Sequence, residues 1–263
     1  MPITFKRAGQ EAVTLENVSF KGVALDKVTF KRAGQEAVTV FEKAKAMPVK
    51  GDIITLDSKQ YRVLKVNGTV AEVLCMYDAK SSIKFDTNSD YNNTYDGKNI
   101  DTYCNNTFYS GLSAAMKSAI VDKTFTQDSW TWDTSVPTQP HYTGKNSSST
   151  YYLTLANAAF GTSITRHCYC LSVQDVLDYL EATTSMGTSD TTLTYTNIWT
   201  MFWNVTTSPD SKYIWLCSAN SSGSGRASTV SGNFGELGIN YVDRLYVARP
   251  AFQIDLSKVE WSK

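Results

Sequence analysis

Apolar and polar side chains alternate in short stretches along much of the chain, each stretch broken by turn residues. Successive side chains on a strand point to opposite faces, so such alternation predicts half-buried β-strands. The opening shows it twice. Residues 4–14 read TFKRAGQEAVT, and residues 29–39 repeat them letter for letter. Between the copies, VSFKG at 18–22 echoes VTFKR at 28–32. Each copy alternates around an Ala-Gly break, which predicts short strands and turns. Two such units bury little surface by themselves. Residues 1–46 are therefore expected to form a small β-rich repeat module for attachment or oligomerisation.

Pro48 marks the passage to a second domain, taken as 47–263. Asp52-Ile53-Ile54-Thr55-Leu56 and Tyr61-Arg62-Val63-Leu64-Lys65-Val66 read as strands joined by a turn at Asp57-Ser58-Lys59-Gln60. Asn67-Gly68 is a hairpin signal leading into Val70-Ala71-Glu72-Val73-Leu74-Cys75-Met76, so the three form an antiparallel meander. Helical spacing appears over residues 99–123, where Ile100, Tyr103, Cys104 and Phe108 precede Leu112, Ala115, Met116, Ala119 and Ile120. Ser110-Gly111 should break that region into two pieces. A second helix is expected over 172–182, capped by Ser172, with Val173, Val176, Leu177 and Leu180 facing inward. Periodicity fades over 183–196. The tail offers Tyr213-Ile214-Trp215-Leu216-Cys217 as a buried strand, a Gly/Ser loop over 219–225 and a closing segment over 245–256.

Charge narrows the function. The chain of 263 residues carries 25 basic and 25 acidic side chains, so no net field favours nucleic acid or an anionic membrane. No run approaches the ~18 apolar residues of a membrane span, and Met1-Pro2-Ile3-Thr4-Phe5-Lys6-Arg7 is not a Sec signal. The five cysteines are too scattered for a disulfide framework, and Cys168 and Cys170, sharing one strand face, read as small core residues. The expected setting is a reducing cytoplasm.

Catalytic patterns do not emerge. His141 and His167 are the only histidines, which gives a His-based triad or zinc site little to build on. No nucleophile elbow, zincin, P-loop or dinucleotide fingerprint occurs. Neither a cofactor nor a metal is expected, and the chain reads as a non-catalytic binding protein. Asn-x-Ser/Thr triplets, as at Asn92, Asn105, Asn204 and Asn220, read as polar loops. Aromatic residues reach 12%, and Ser, Thr, Asn and Gly crowd residues 86–240. Tyrosine beside small polar residues is the composition of recognition surfaces as well as of ordinary polar loops.

Four stretches taken in order carry a family resemblance: Gly51-Asp52-Ile53 through Tyr61-Arg62-Val63-Leu64; Tyr95-Asp96-Gly97-Lys98-Asn99-Ile100 leading into residues 112–120; Cys170-Leu171-Ser172-Val173-Gln174-Asp175-Val176; and Trp215-Leu216-Cys217-Ser218 with Val247-Ala248-Arg249-Pro250-Ala251-Phe252. Over residues 48–256 the chain resembles a domain family of gut bacteria and their phages. Its members look like C-type-lectin folds of the formylglycine-generating-enzyme type, and some are variable proteins of diversity-generating retroelements. The most specific part is the ending, usually Gly-Val-Arg-Pro-Ala-Phe. The resemblance implies an α+β, C-type-lectin-like fold, mostly antiparallel strands with two helices and long loops. It implies a C-terminal surface that binds a host cell-surface protein or glycan. Attachment to a phage tail or baseplate would run through residues 1–46, in a virion or in the bacterial cytoplasm before assembly, and the repeat permits a homo-oligomer. Enzymes of this fold use a C-terminal cysteine pair, which Cys217 alone does not reproduce. Calcium-dependent lectins carry a Trp-Asn-Asp motif and a Gln-Pro-Asp or Glu-Pro-Asn motif, of which Trp203-Asn204-Val205 and Gln139-Pro140-His141 are poor copies.

The stretch 221–246 reads SSGSGRASTVSGNFGELGINYVDRLY, without clear period. The resemblance implies small polar residues here, which diversified codons would replace with bulky ones. The expected ligand-binding set is Ser221, Ser222, Ser224, Arg226, Asn233, Phe234, Glu236, Leu237, Ile239, Tyr241, Asp243, Arg244 and Tyr246. A loop that places Phe, Leu, Ile and Tyr among glycines either buries them or presents them to a partner; a core would claim Leu237 and Ile239 first. Trp199, Phe202 and Trp203 are candidates for rim or core. The rival readings are an oxidase of the formylglycine-generating type, with Cys217 as its reactive group, and a purely structural tail subunit.

Overall fold

A computed structural model describes residues 46–87, 95–125, 163–182, 194–207, 209, 211–219 and 225–263, with short strands outside them as backbone alone. The chain divides into two compact units, Met1–Met47 and Pro48–Lys263. In the first, β1 (Ile3–Phe5) pairs with β2 (Val13–Leu15), β3 (Ser19–Phe20) with β4 (Val23–Ala24), and β5 (Lys27–Phe30) with β6 (Val38–Glu42). The two identical stretches fold to the same register. Thr4 faces Thr14 and Phe5 faces Val13 in one copy; Thr29 faces Thr39 and Phe30 faces Val38 in the other.

The second unit opens with the expected meander of β7 (Ile53–Leu56), β8 (Lys59–Asn67) and β9 (Val70–Cys75). The first turn is tighter than the four residues expected. Asp57 and Ser58 alone form it, with φ of 46° and 62°, and Lys59 already pairs with Leu56. Positive φ at both central residues matches the strand twist, so the hairpin closes at two. After these come β10 (Lys80–Ile83), α1 (Asn99–Thr102), a π-helical segment (Tyr103–Phe108) and α2 (Ala114–Ala119). Gly111 separates the two helical pieces, as the sequence indicated, but helix stops at Ala119. Ile120 begins β11 (Ile120–Val121), and β12 (Lys123–Phe125) follows. Ile120 pairs with Ile254, so sheet hydrogen bonds override its helical spacing there.

Next come β13 (His141–Thr143), β14 (Thr150–Tyr152) and β15 (Ile164–Arg166), then α3 (Val173–Leu180). Ser172 caps α3 in a full capping box with Asp175, and Val173, Val176 and Leu177 are buried. A fourth helix was not foreseen: α4 (Tyr195–Trp203) starts at Thr194, whose side chain accepts from the Asn197 N–H. It buries Ile198, Trp199, Met201 and Phe202, making Trp199 and Phe202 core residues, while Trp203 is half-buried. The chain closes with β16 (Tyr213–Ala219), β17 (Arg226–Ser231), β18 (Glu236–Tyr241), β19 (Tyr246–Ala248) and β20 (Ala251–Asp255).

Two five-stranded sheets organise this α+β unit, ordered β10-β19-β16-β17-β18 and β11-β20-β9-β8-β7. All their pairings are antiparallel except β16 with β19. The core holds Trp199, Trp215, Tyr95, Tyr169, Phe85 and Phe252, each 2% exposed or less. All five cysteines are buried and unbridged; Cys168 and Cys170 flank Tyr169, which forms an isolated bridge to Ala251 rather than part of a strand. Among the described residues no helix is long and apolar enough to cross a membrane.

The closing Val247-Ala248-Arg249-Pro250-Ala251-Phe252 segment passes the chain from the first sheet to the second. Arg249, 6% exposed, locks that passage. Its Nε and Nη2 donate to Asp78 Oδ1 at 3.0 and 2.7 Å, and its Nη1 donates to the Phe202 carbonyl. Its guanidinium also lies 5.3 Å from the Trp203 ring centre. One side chain thus ties the crossover to α4 and to the segment before β10.

Candidate functional site

Residues 225–246 are not the aperiodic loop the sequence suggests. They form the β17–β18 hairpin and the turn into β19. The period of two is invisible because β17 is covered on both faces: Ala227, Ser228, Thr229, Val230 and Ser231 are all buried. Only small side chains fit such a strand, and small residues carry little apolar contrast. At the hairpin turn, Gly235 has φ +59°, and a Cβ there would stand 2.6 Å from the Tyr195 Cβ at the start of α4. No side chain fits, so the hairpin docks on α4 through a glycine.

This scaffold sorts the expected binding residues by depth and by the end of the hairpin they occupy. Leu237 faces Val230 across the hairpin and is 7% exposed, so it belongs to the core; Phe234, Glu236 and Ile239 are half-buried. Asn233 is exposed, but at the Gly235 end of the hairpin, the length of β18 from Tyr241 and so roughly 17 Å away. Ser221, Ser222 and Ser224 lie outside the described residues.

At the opposite end, Arg226, Tyr241, Asp243 and Arg244 come together with Leu245, which the sequence reading did not single out. Arg226 and Tyr241 are register partners. The guanidinium donates to the Tyr241 hydroxyl at 2.9 Å and stands 4.7 Å from its ring centre. Val242 anchors the turn: it is fully buried, its N–H bonds the Gly225 carbonyl and its own carbonyl accepts from Asp86. The Arg244 N–H then closes back onto the Tyr241 carbonyl at 3.0 Å. With Val242 pinned inside, its neighbours point out. Tyr241 is 45% exposed and Leu245 59%, two of the four large apolar side chains left exposed among the described residues. Leu245 escaped notice because Arg-Leu-Tyr reads as the start of a strand.

Tyr246 stands beside this patch but is built in. Its ring packs 4.8 Å from Tyr213 and 4.9 Å from Trp215, and its hydroxyl donates to Asn240 Oδ1 at 2.9 Å. Asn240 Nδ2 donates in turn to Thr229 Oγ1. Burial raises the Tyr246 pKa, so it stays a neutral hydrogen-bonding phenol.

Cys217 is 1% exposed inside β16, and its N–H bonds the Leu171 carbonyl. Burial likewise pushes the Cys75 and Cys168 thiols up. His141 falls in β13, outside the described residues. His167 is on the surface, its Nδ1 2.5 Å from Asp122 Oδ1 and its ring stacked 4.2 Å from Tyr109. Among the described residues no cluster of His, Cys, Asp and Glu is arranged to hold a metal ion.

A concave region lies elsewhere, between α3 and the sheet β11-β20-β9-β8. It is an open groove of about 970 Å³. Lys123 Nζ sits in its wall, 2.8 Å from both Glu72 Oε1 and Asp175 Oδ1. The Tyr169 hydroxyl donates to the same Glu72 oxygen at 2.5 Å. Burial alone would lower the Lys123 pKa, but Asp175 and Glu72 outweigh it and hold the ammonium above the usual lysine range. Burial and Glu72 together push the Tyr169 phenol far up. Nothing local in the sequence announces this cluster, whose members are strand, strand and helix residues far apart along the chain.

No curated protein and no solved structure matches this chain. One family does: residues 70–256, from the second strand of the β8–β9 hairpin to just past β20, match a family described as a domain of unknown function, DUF6273. That match spans most of the chain, including α3, the β17–β18 hairpin, the Tyr241–Leu245 turn and the Arg249 crossover. The chain therefore belongs to the DUF6273 family.

Proposed function

We propose that this chain is a non-catalytic, C-type-lectin-like binding protein that recognises a ligand on a host cell surface through the patch at the end of the β17–β18 hairpin. The observation that carries this reading is the turn of residues 241–245. A buried Val242 holds Tyr241, Asp243, Arg244 and Leu245 out to solvent, and Arg226 stacks on Tyr241. A rigid strand pair bearing an exposed Tyr and Arg carries two of the residue types enriched in binding hot spots, mounted on a fixed scaffold with Leu245 as apolar surface beside them. The buried hairpin residues are interchangeable only with side chains of their own size, whereas the exposed ones are free to vary. That division suits a variable protein of a diversity-generating retroelement, displayed on a phage tail through the repeat module.

The test is competition. Labelled chain is bound to a panel of gut-bacterial isolates, and unlabelled chain is added in excess, either as parent or with Tyr241, Arg244 and Leu245 changed to Ala. The parent is expected to displace the label from at least one isolate and the variant to fail, with both melting at the same temperature. Equal displacement by the two would remove this patch as the recognition site.

A further inference from the structure

The groove under α3 is built differently from the hairpin patch, and its chemistry points to a different ligand. One row of side chains crosses four strands on the same face. Val121 on β11 is the register partner of Gln253 on β20, Gln253 of Glu72 on β9, and Glu72 of Lys65 on β8. All four line the groove, with Tyr179 of α3 on its wall. At strand spacings of about 4.8 Å, the row makes a nearly straight track roughly 14 Å long.

The charges lining the groove nearly balance, three lysines (Lys50, Lys65 and Lys123) against four carboxylates (Glu72, Asp175, Asp178 and Glu181). Lys123 is shared by Glu72 and Asp175, and Lys50 pairs with Glu181 at 2.5 Å. An anionic ligand would meet the carboxylates of Glu72 and Asp175. A cationic one would meet Lys123 and Lys50. What remains is hydrogen-bonding capacity with little net charge of either sign. The half-buried Gln253 amide makes no hydrogen bond among the described residues, and Glu72 uses only Oε1 for Lys123 and Tyr169, so its other oxygen keeps accepting capacity. Cross-strand neighbours stand about 5 Å apart at Cβ. An amide and a carboxylate at that spacing offer a donor beside acceptors, the set that a pair of adjacent hydroxyls satisfies, since each hydroxyl both gives and takes. Val121, 37% exposed at the end of the row, supplies an apolar surface for C–H groups.

We propose that the groove between α3 and the strand row Val121–Gln253–Glu72–Lys65 binds a neutral oligosaccharide laid across the strands. This site is separate from the hairpin patch, and either can fail without the other. The test is calorimetric titration of the full chain with cellotetraose, maltotetraose, mannotetraose and chitotetraose, and with a sulfated tetrasaccharide for comparison. At least one neutral sugar is expected to bind with a Kd of about 1 mM or tighter. Gln253→Ala and Tyr179→Phe should each weaken it about tenfold at unchanged melting temperature, and Tyr241→Ala should leave it unaltered. Three results overturn the proposal: no neutral sugar binding up to roughly 10 mM, binding that both groove variants leave intact, or tighter binding of the sulfated sugar.

Discussion

Replacing Arg249 by Met tests the physical account of the crossover between the two sheets. The substitution keeps most of the volume and removes the charge and all three hydrogen bonds. It leaves the Phe202 carbonyl without its donor and Asp78 with Lys212 alone, at 2.8 Å. Removing one partner of a buried ion pair costs about 3–5 kcal/mol. Asp78 is 19% exposed and keeps one cation, which trims that figure, whereas the abandoned carbonyl adds about 1–3 kcal/mol. A net loss of about 3–4 kcal/mol is expected, or roughly 6–16 °C in melting temperature for a unit of this size. Arg249→Lys keeps the charge but not the fork and should fall between. The measurement is thermal and urea unfolding followed by near-UV circular dichroism. The pair also fixes a pH dependence. Burial alone would raise the Asp78 pKa, but the bonds from Lys212 and Arg249 outweigh it and hold it below 3.8. Its contribution is therefore complete above about pH 4 and fades as acid takes the medium down through the lowered pKa. A melting-temperature loss under about 2 °C in Arg249→Met, or an acid-unfolding curve identical to the parent's, would refute the reasoning.

Three further substitutions probe local structure. Gly235→Ala should destabilise by more than about 2 kcal/mol, read by urea unfolding, because a positive φ and a 2.6 Å approach to Tyr195 both oppose a side chain. Ser172→Ala should cost about 1 kcal/mol in the same assay by opening the capping box of α3. Changing Asp57-Ser58 to Asn-Gly should raise stability by about 0.5–1 kcal/mol, seen as a higher melting temperature, since both positions have positive φ.

Elements whose cues are local were legible in the sequence. Asn67-Gly68 marks the β8–β9 hairpin, and Gly68 does take a positive φ. Ser172 with Val173, Val176 and Leu177 announces α3 because a cap and one apolar face suffice. α4 was missed for the opposite reason. Its run Tyr-Thr-Asn-Ile-Trp-Thr-Met-Phe-Trp has no wide polar face, and a short helix buried on most sides shows no amphipathic period. The same physics hid β17, where small residues packed on both faces erase the alternation that exposes a half-buried strand. The hairpin patch was half legible. Arg226, Tyr241, Asp243 and Arg244 were picked out by chemistry, but which neighbours turn inward depends on Val242 and on the register with β17. The groove was not legible at all, because Glu72, Lys123, Asp175 and Gln253 meet only through strand register and the docking of α3.

The most direct test of the central claim is a binding titration on an isolate that the parent chain recognises, comparing it with the Tyr241→Ala, Arg244→Ala, Leu245→Ala triple variant. With melting temperatures matched, the variant is expected to bind at least about 100-fold more weakly, as loss of two hot-spot side chains would give. A change of less than about threefold would place the recognition surface elsewhere on the molecule.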